Sequence, residues 1–138
     1  MEIEDVAYGF LKSCNIKIDK KYFAYLIKSN PFYPSLLSLT DALDELDISY
    51  LATQIGFEEL AEIQFPIFSY FVTNDTGKFL YYTSLKKFEE SPYFRKEIWS
   101  GYVLIVPAGQ VIESARHNLI QNRNRIYRIA SYIIISGF

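Results

Sequence analysis

The sequence predicts an α+β domain in which N-terminal helices pack on an antiparallel β-sheet. Three observations carry this. Up to Leu46 the apolar residues recur at helical spacing in three successive stretches. From Ile48 onward they come in short β-branched and aromatic runs. Between two of those runs, Asn74-Asp75-Thr76-Gly77 has the composition of a hairpin turn.

The elements follow in order. Val6, Ala7, Phe10 and Leu11 form one face of a first helix over Asp5 to Ser13, closed by Asn15. Asp19 suits the N-cap of a second helix, whose apolar face is Tyr22, Phe23, Leu26 and Ile27 and which ends before Asn30-Pro31. In "NPFYPSLLSLTDALDEL", Pro34 suits the first turn of a third helix. Leu36, Leu37, Leu39, Ala42, Leu43 and Leu46 make a stripe wide enough for nearly complete burial, with Asp41, Asp44 and Glu45 toward water. "ISYLATQI" reads as a strand, and "GFEELAEI" as a short helix with Glu58 and Glu59 in its first turn. "FPIFSYFV" and "GKFLYYTSL" read as the two strands of a hairpin, "FEESPYFRKEIW" as irregular or briefly helical, and "GYVLIVPAG" as a last strand.

The tail changes character. "SARHNLIQNRNRIYR" is basic and polar, and "IASYIIISGF" is apolar but too short to span a bilayer alone. It suits either the first half of a spanning helix, flanked by Arg123, Arg125 and Arg128 as on a cytoplasmic side, or a terminal strand that joins the sheet. The organisation expected is one domain over residues 1–113 and a linker with an apolar segment over 114–138.

Composition narrows the function. The chain has 138 residues, 50% hydrophobic and 22% charged, which suits a single core and argues against disorder. Twelve tyrosines and eleven phenylalanines suit a peptide-binding or membrane-proximal surface, or simply the filling of a small core. A net charge of −2 without a strong basic block argues against nucleic acid as the main partner. One cysteine and one histidine exclude an internal disulfide, a paired-cysteine zinc site and a histidine-rich metal site. The acidic start "MEIEDVAYGFLKS" lacks the basic region of a signal peptide, so a cytoplasmic location is expected. There is no phosphate-binding loop, dinucleotide fingerprint or His-Glu-x-x-His. The neighbouring pairs Asp44-Glu45, Glu58-Glu59 and Glu89-Glu90 do not share a face, as paired general acids and bases would need to.

The order of elements, with "NPFYPSLLSLTDALDELDISYLATQ", "FEELAEIQFPIFSYF", "GKFLYYTSL" and "IWSGYVLIV", resembles the papain-like peptidase domain of bacteriocin-exporting ABC transporters, which cuts leader peptides after a double glycine. The residues look like a divergent branch of that family, often fused to a vitamin K epoxide reductase-like membrane domain or a transporter. The resemblance runs from about Asp5 to Glu113, and Pro34-Ser35-Leu36-Leu37 and Trp99-Ser100-Gly101 are its most specific parts.

A papain-like peptidase needs a thiolate, an imidazole beside it and a carboxylate or amide to orient the ring. The resemblance puts the thiol at the start of the first helix, where "MEIEDVAYGF" has no cysteine; Cys14 falls near the helix end instead. It puts the histidine at the opening of "GKFLYYTSL", on Lys78 beside Phe79, and the orienting aspartate after that strand, where "YYTSLKKFEESPYF" has none. His117, in the tail, is the only partner Cys14 could have.

The expectation is therefore a peptidase-like domain without peptidase activity or cofactor, on the cytoplasmic face of the inner membrane. It would dock a leader peptide or secreted cargo for a membrane exporter. The alternatives are a regulatory domain of a membrane-bound thiol-redox protein, and a residual cysteine peptidase using Cys14 and His117. The resemblance and the aromatic content point to Phe32, Tyr33, Phe79, Tyr81 and Tyr82 as candidate peptide-binding residues.

Overall fold

The computed structural model describes residues 2–73 and 76–107. Three helices open the chain: α1 Ile3–Ser13, α2 Lys20–Lys28 and α3 Leu36–Glu45. Strand β1 Leu51–Gln54 follows, then a 3-10 helix at Phe57–Glu62 and strands β2 Ile67–Thr73 and β3 Thr76–Tyr82. Helix α4 Leu85–Glu89, a 3-10 turn at Lys96–Ile98 and strand β4 Trp99–Ile105 complete the described chain. The architecture is α+β, with one antiparallel sheet in the order β1-β4-β2-β3.

Local chemistry sets the helix ends. Asp19 caps α2 by accepting from the Tyr22 amide at 2.8 Å. At α3 the sequence expectation shifts by two residues: Pro34 lies outside the helix, and Ser35 is the N-cap. Ser35 and Ser38 form a reciprocal capping box that fixes the start at Leu36.

α1 and α3 end alike. Asn15 (φ 64°) and Asp47 (φ 57°) take the left-handed conformation one residue past the C-cap. The next amides reach back to the last turn, Ile16 to the Leu11 carbonyl at 3.0 Å and Ile48 to the Leu43 carbonyl at 2.9 Å. Both isoleucines are buried, so each turn also pins an apolar side chain. That bond engages the Ile48 amide in the helix end, and β1 starts at Leu51 rather than at Ile48.

Asp47 is unfavourable in three ways: its backbone conformation, its negative charge at a helix C-terminus, and a buried side-chain oxygen, Oδ1, without a hydrogen-bond partner among the described residues. Asp47→Gly is therefore expected to stabilise the fold by about 1 kcal/mol, read as a higher urea midpoint at unchanged m-value.

The sheet is covered on both faces. On one side Phe10, Phe23, Leu39, Tyr50, Phe68 and Leu104 form a core with the three helices. On the other, Leu60, Ile67, Phe71, Phe88 and Val103 pack under the 3-10 helix and α4. Strand alternation explains the split, since Phe68 and Phe71 of β2 go to opposite sides. The aromatic surplus thus mostly fills two small cores.

Two further expectations shift. The strand expected through Leu85 ends at Tyr82, because Ser84 caps α4 by accepting from the Lys87 amide at 3.2 Å. The last strand starts earlier than expected, at Trp99, which pairs with Phe71. In this stretch Ser100, Gly101 and Tyr102 of β4 bulge against the single residue Tyr70 of β2, with Gly101 at φ 90°. The expected hairpin is formed, with Thr73 opposite Thr76, while Asn74 and Asp75 lie outside the described residues. So do residues 108–138, which hold His117, Arg123, Arg125, Arg128 and the apolar segment.

Candidate functional site

A groove of about 410 Å³ runs between the start of α3 and the β2–β3 hairpin, lined by Pro34, Ser35, Leu36, Leu37, Tyr70, Gly77 and Phe79. The α3 wall is rigid for a local reason. The Asn30 side chain accepts from the Phe32 amide and donates to the Asp41 carboxylate, both at 2.8 Å, tying the approach loop to the helix it precedes. The capping box then aims Leu36 inward and Leu37 outward, where Leu37 is 46% exposed.

The sheet wall is aromatic. Phe79 stacks on Phe68 at 5.6 Å and meets Tyr70 at 4.8 Å between ring centroids. The Tyr70 phenol lies diagonally across to Gly77, where a β-carbon would sit, so only glycine leaves that ring in place.

The candidate residues separate. Phe79 lines the groove. Phe32 and Tyr33 stand in its approach loop; Phe32 is exposed, and the Tyr33 hydroxyl donates to Glu4 at 2.8 Å. Tyr81 is taken up by α1, against Phe10 and over Gly9. Tyr82 lies on the opposite sheet face, stacked on Phe88 at 4.5 Å, and cannot reach the groove. Leu37, Tyr70 and Gly77 were not among the candidates. Leu37, expected in the buried stripe of α3, is instead 46% exposed, on the helical face of Asp41 and Glu45.

The positions expected for chemistry hold other groups. At the start of α1, Glu4 is buried to 7% exposure and faces the Tyr33 hydroxyl, with Lys28 Nζ at 3.9 Å. Burial, and then the Glu4 carboxylate, raise the Tyr33 phenol above its ordinary range. Lys78 projects away from α1: its ammonium donates to the Tyr93 hydroxyl at 3.0 Å and sits 5.2 Å from that ring's centroid, on the side of the second core. The residue of β3 that faces the helices there is Phe79. Among the described residues no group of His, Cys, Asp or Glu is arranged to hold a metal ion.

Cys14 is the C-cap of α1, about 15 Å along the axis from Glu4 at 1.5 Å per residue. Burial, only partly offset by a hydrogen bond from Ser13, pushes its thiol from 9.0 up to about 11. Alkylation by iodoacetamide should therefore be slow near neutral pH and accelerate toward pH 11. The folded state holds the proton where the unfolded chain has lost it, so stability is full below pH 9.0 and falls as pH rises toward about 11. An alkylation profile with its midpoint at or below the ordinary thiol value would contradict this.

Compared with known protein families and with curated proteins, the chain matches none. Among the described residues, no helix is long and apolar enough to cross a membrane.

Proposed function

We propose that this chain is a papain-like domain that keeps the peptidase scaffold without its chemistry, and that it docks a leader peptide or secreted cargo for a membrane export system, at the cytoplasmic face of the inner membrane. The observation that carries the reading is the groove between the start of α3 and the hairpin. It has an apolar and aromatic lining, a fixed wall on each side and an exposed leucine at the rim. Such a site takes an extended or helical peptide through apolar anchors, with specificity set by which side chains fit. The chemistry around it supports binding over cleavage. The start of α1 offers a carboxylate bonded to a phenol, β3 offers a phenylalanine, and the thiol lies at the far end of α1 with a raised pKa.

The test is a titration of the isotope-labelled chain with a synthetic double-glycine leader peptide, followed by NMR. Resonances of Leu36, Leu37, Gly77 and Phe79 are expected to shift together. Leu37→Lys should weaken binding by about tenfold or more, as loss of one anchor does, while leaving the melting temperature nearly unchanged because Leu37 is outside both cores. Unshifted resonances at millimolar peptide would refute the proposal, as would shifts confined to other surfaces.

A further inference from the structure

The helical layer carries its positive charge on one side. Between Lys12 and Lys28 the sequence has five lysines against one aspartate, in a chain whose net charge is −2. All five lysines are exposed, and the Asp19 carboxylate is engaged as the α2 cap.

The folding of α1 against α2 gathers these charges. On α2, Lys21, Tyr25 and Lys28 stand at i, i+4 and i+7, on the side away from the buried Phe23 and Ile27, and Tyr25 is 65% exposed. Lys20 lies over the Tyr8 ring of α1 at 5.5 Å, and Lys12 follows Tyr8 by one helical turn. Lys28 has Glu4 at 3.9 Å; among the described residues Lys12, Lys17, Lys20 and Lys21 have no ion pair.

We infer that this α1–α2 face is a contact surface for bilayers that carry anionic headgroups. Lys12, Lys17, Lys20 and Lys21, exposed and without an ion pair among the described residues, repel one another, and an anionic partner relieves that repulsion. The exposed lysines are spread over two packed helices, which suits a broad anionic plane more than a compact ligand. Every cation on it is lysine, a mobile point charge that suits a diffuse field of headgroups. Arginine, whose fork reads individual phosphates and base edges, is absent from it. Tyr25 on the same stripe supplies an amphipathic ring of the kind that settles at the membrane interface. The inference is independent of what the groove binds.

The experiment is co-sedimentation of the full chain with vesicles of phosphatidylcholine mixed with phosphatidylglycerol, against vesicles of phosphatidylcholine alone. The chain should partition to the mixed vesicles only and be released by high salt. Lys20→Gln with Lys21→Gln should weaken partitioning about 25-fold, roughly fivefold per lysine. Lys86→Gln with Lys87→Gln removes the same charge from α4, on the other face of the sheet, and should change it by about twofold or less. Equal losses in the two double variants, salt-insensitive binding, or stronger binding to an oligonucleotide than to vesicles of equal phosphate content would overturn the assignment. The salt arm uses the unmodified chain, so it decides even if a variant folds poorly.

Discussion

Phe88→Ala is expected to lower the unfolding free energy by about 3–5 kcal/mol, the cost of removing a fully buried aromatic ring with incomplete collapse of its cavity. Phe88 comes from the five-residue helix α4, yet it organises the second core. Its ring stacks on Tyr82 at 4.5 Å and meets Phe94 at 5.1 Å, Phe71 at 5.9 Å and Trp99 at 6.0 Å. These partners come from β3, the segment after α4, β2 and β4, so one truncation loosens the contacts of four segments on that side of the sheet. Urea unfolding followed by tryptophan fluorescence measures it, with Trp99 as the chain's single tryptophan. Phe32→Ala is the control: it removes the same ring from a site 62% exposed and should change stability by about 0.5 kcal/mol or less. A similar small loss for Phe88→Ala would mean that the second core does not hold the fold.

Gly101→Ala is expected to cost about 2–4 kcal/mol, for two reasons that add. The residue sits at φ 90°, a conformation side-chain-bearing residues rarely adopt. A β-carbon there would also lie 2.9 Å from the Gln54 side chain and 3.2 Å from the Ile55 carbonyl oxygen, and the latter belongs to backbone that cannot swing aside. The bulge around it is tied down on every side. The Trp99 indole donates to the Ile55 carbonyl at 2.9 Å, the Ile55 amide donates to the Gly101 carbonyl at 2.8 Å, and the Ser100 hydroxyl donates to the Tyr70 carbonyl. Gly56→Ala provides the contrast, with φ −74° and ordinary van der Waals spacing, and should shift the midpoint little. Thermal melts of the two variants side by side would separate the bulge from a general glycine effect.

What was legible in the sequence was what depends on neighbours along the chain. Asp19 announced its cap, Asn15 its helix end, and the apolar phases of α1 and α3 their buried faces. Ser84 was missed as a cap because "GKFLYYTSL" reads as one uninterrupted strand. Asp47 gave less warning of its left-handed turn than a glycine would, since aspartate enters that conformation only occasionally. Beyond the β2–β3 hairpin, what pairing across the sheet sets was hidden. Trp99-Ser100-Gly101 stands out as a motif, but its role as a bulge depends on Phe71 opposite and Ile55 beside it. The same limit explains Lys78. Which of Lys78 and Phe79 faces the helices depends on the register with β2, and a slip of one residue exchanges the two faces. Of the groove, Phe79 was legible as a candidate, while Leu37 reads as part of the buried stripe because Leu36 and Leu39 flank it. Tyr70 and Gly77 became visible only once the hairpin register put them on one wall.

The central claim is that the domain binds a peptide and leaves it whole. It is tested most directly by incubating the chain with a fluorescent double-glycine leader peptide, then measuring anisotropy and the peptide's mass in the same sample. The expected result is saturable binding, weakened in Leu37→Lys, with the peptide intact after prolonged incubation near neutral pH and above it. Release of a fragment cut after the double glycine, lost in Cys14→Ala, would contradict the account, and so would the absence of binding.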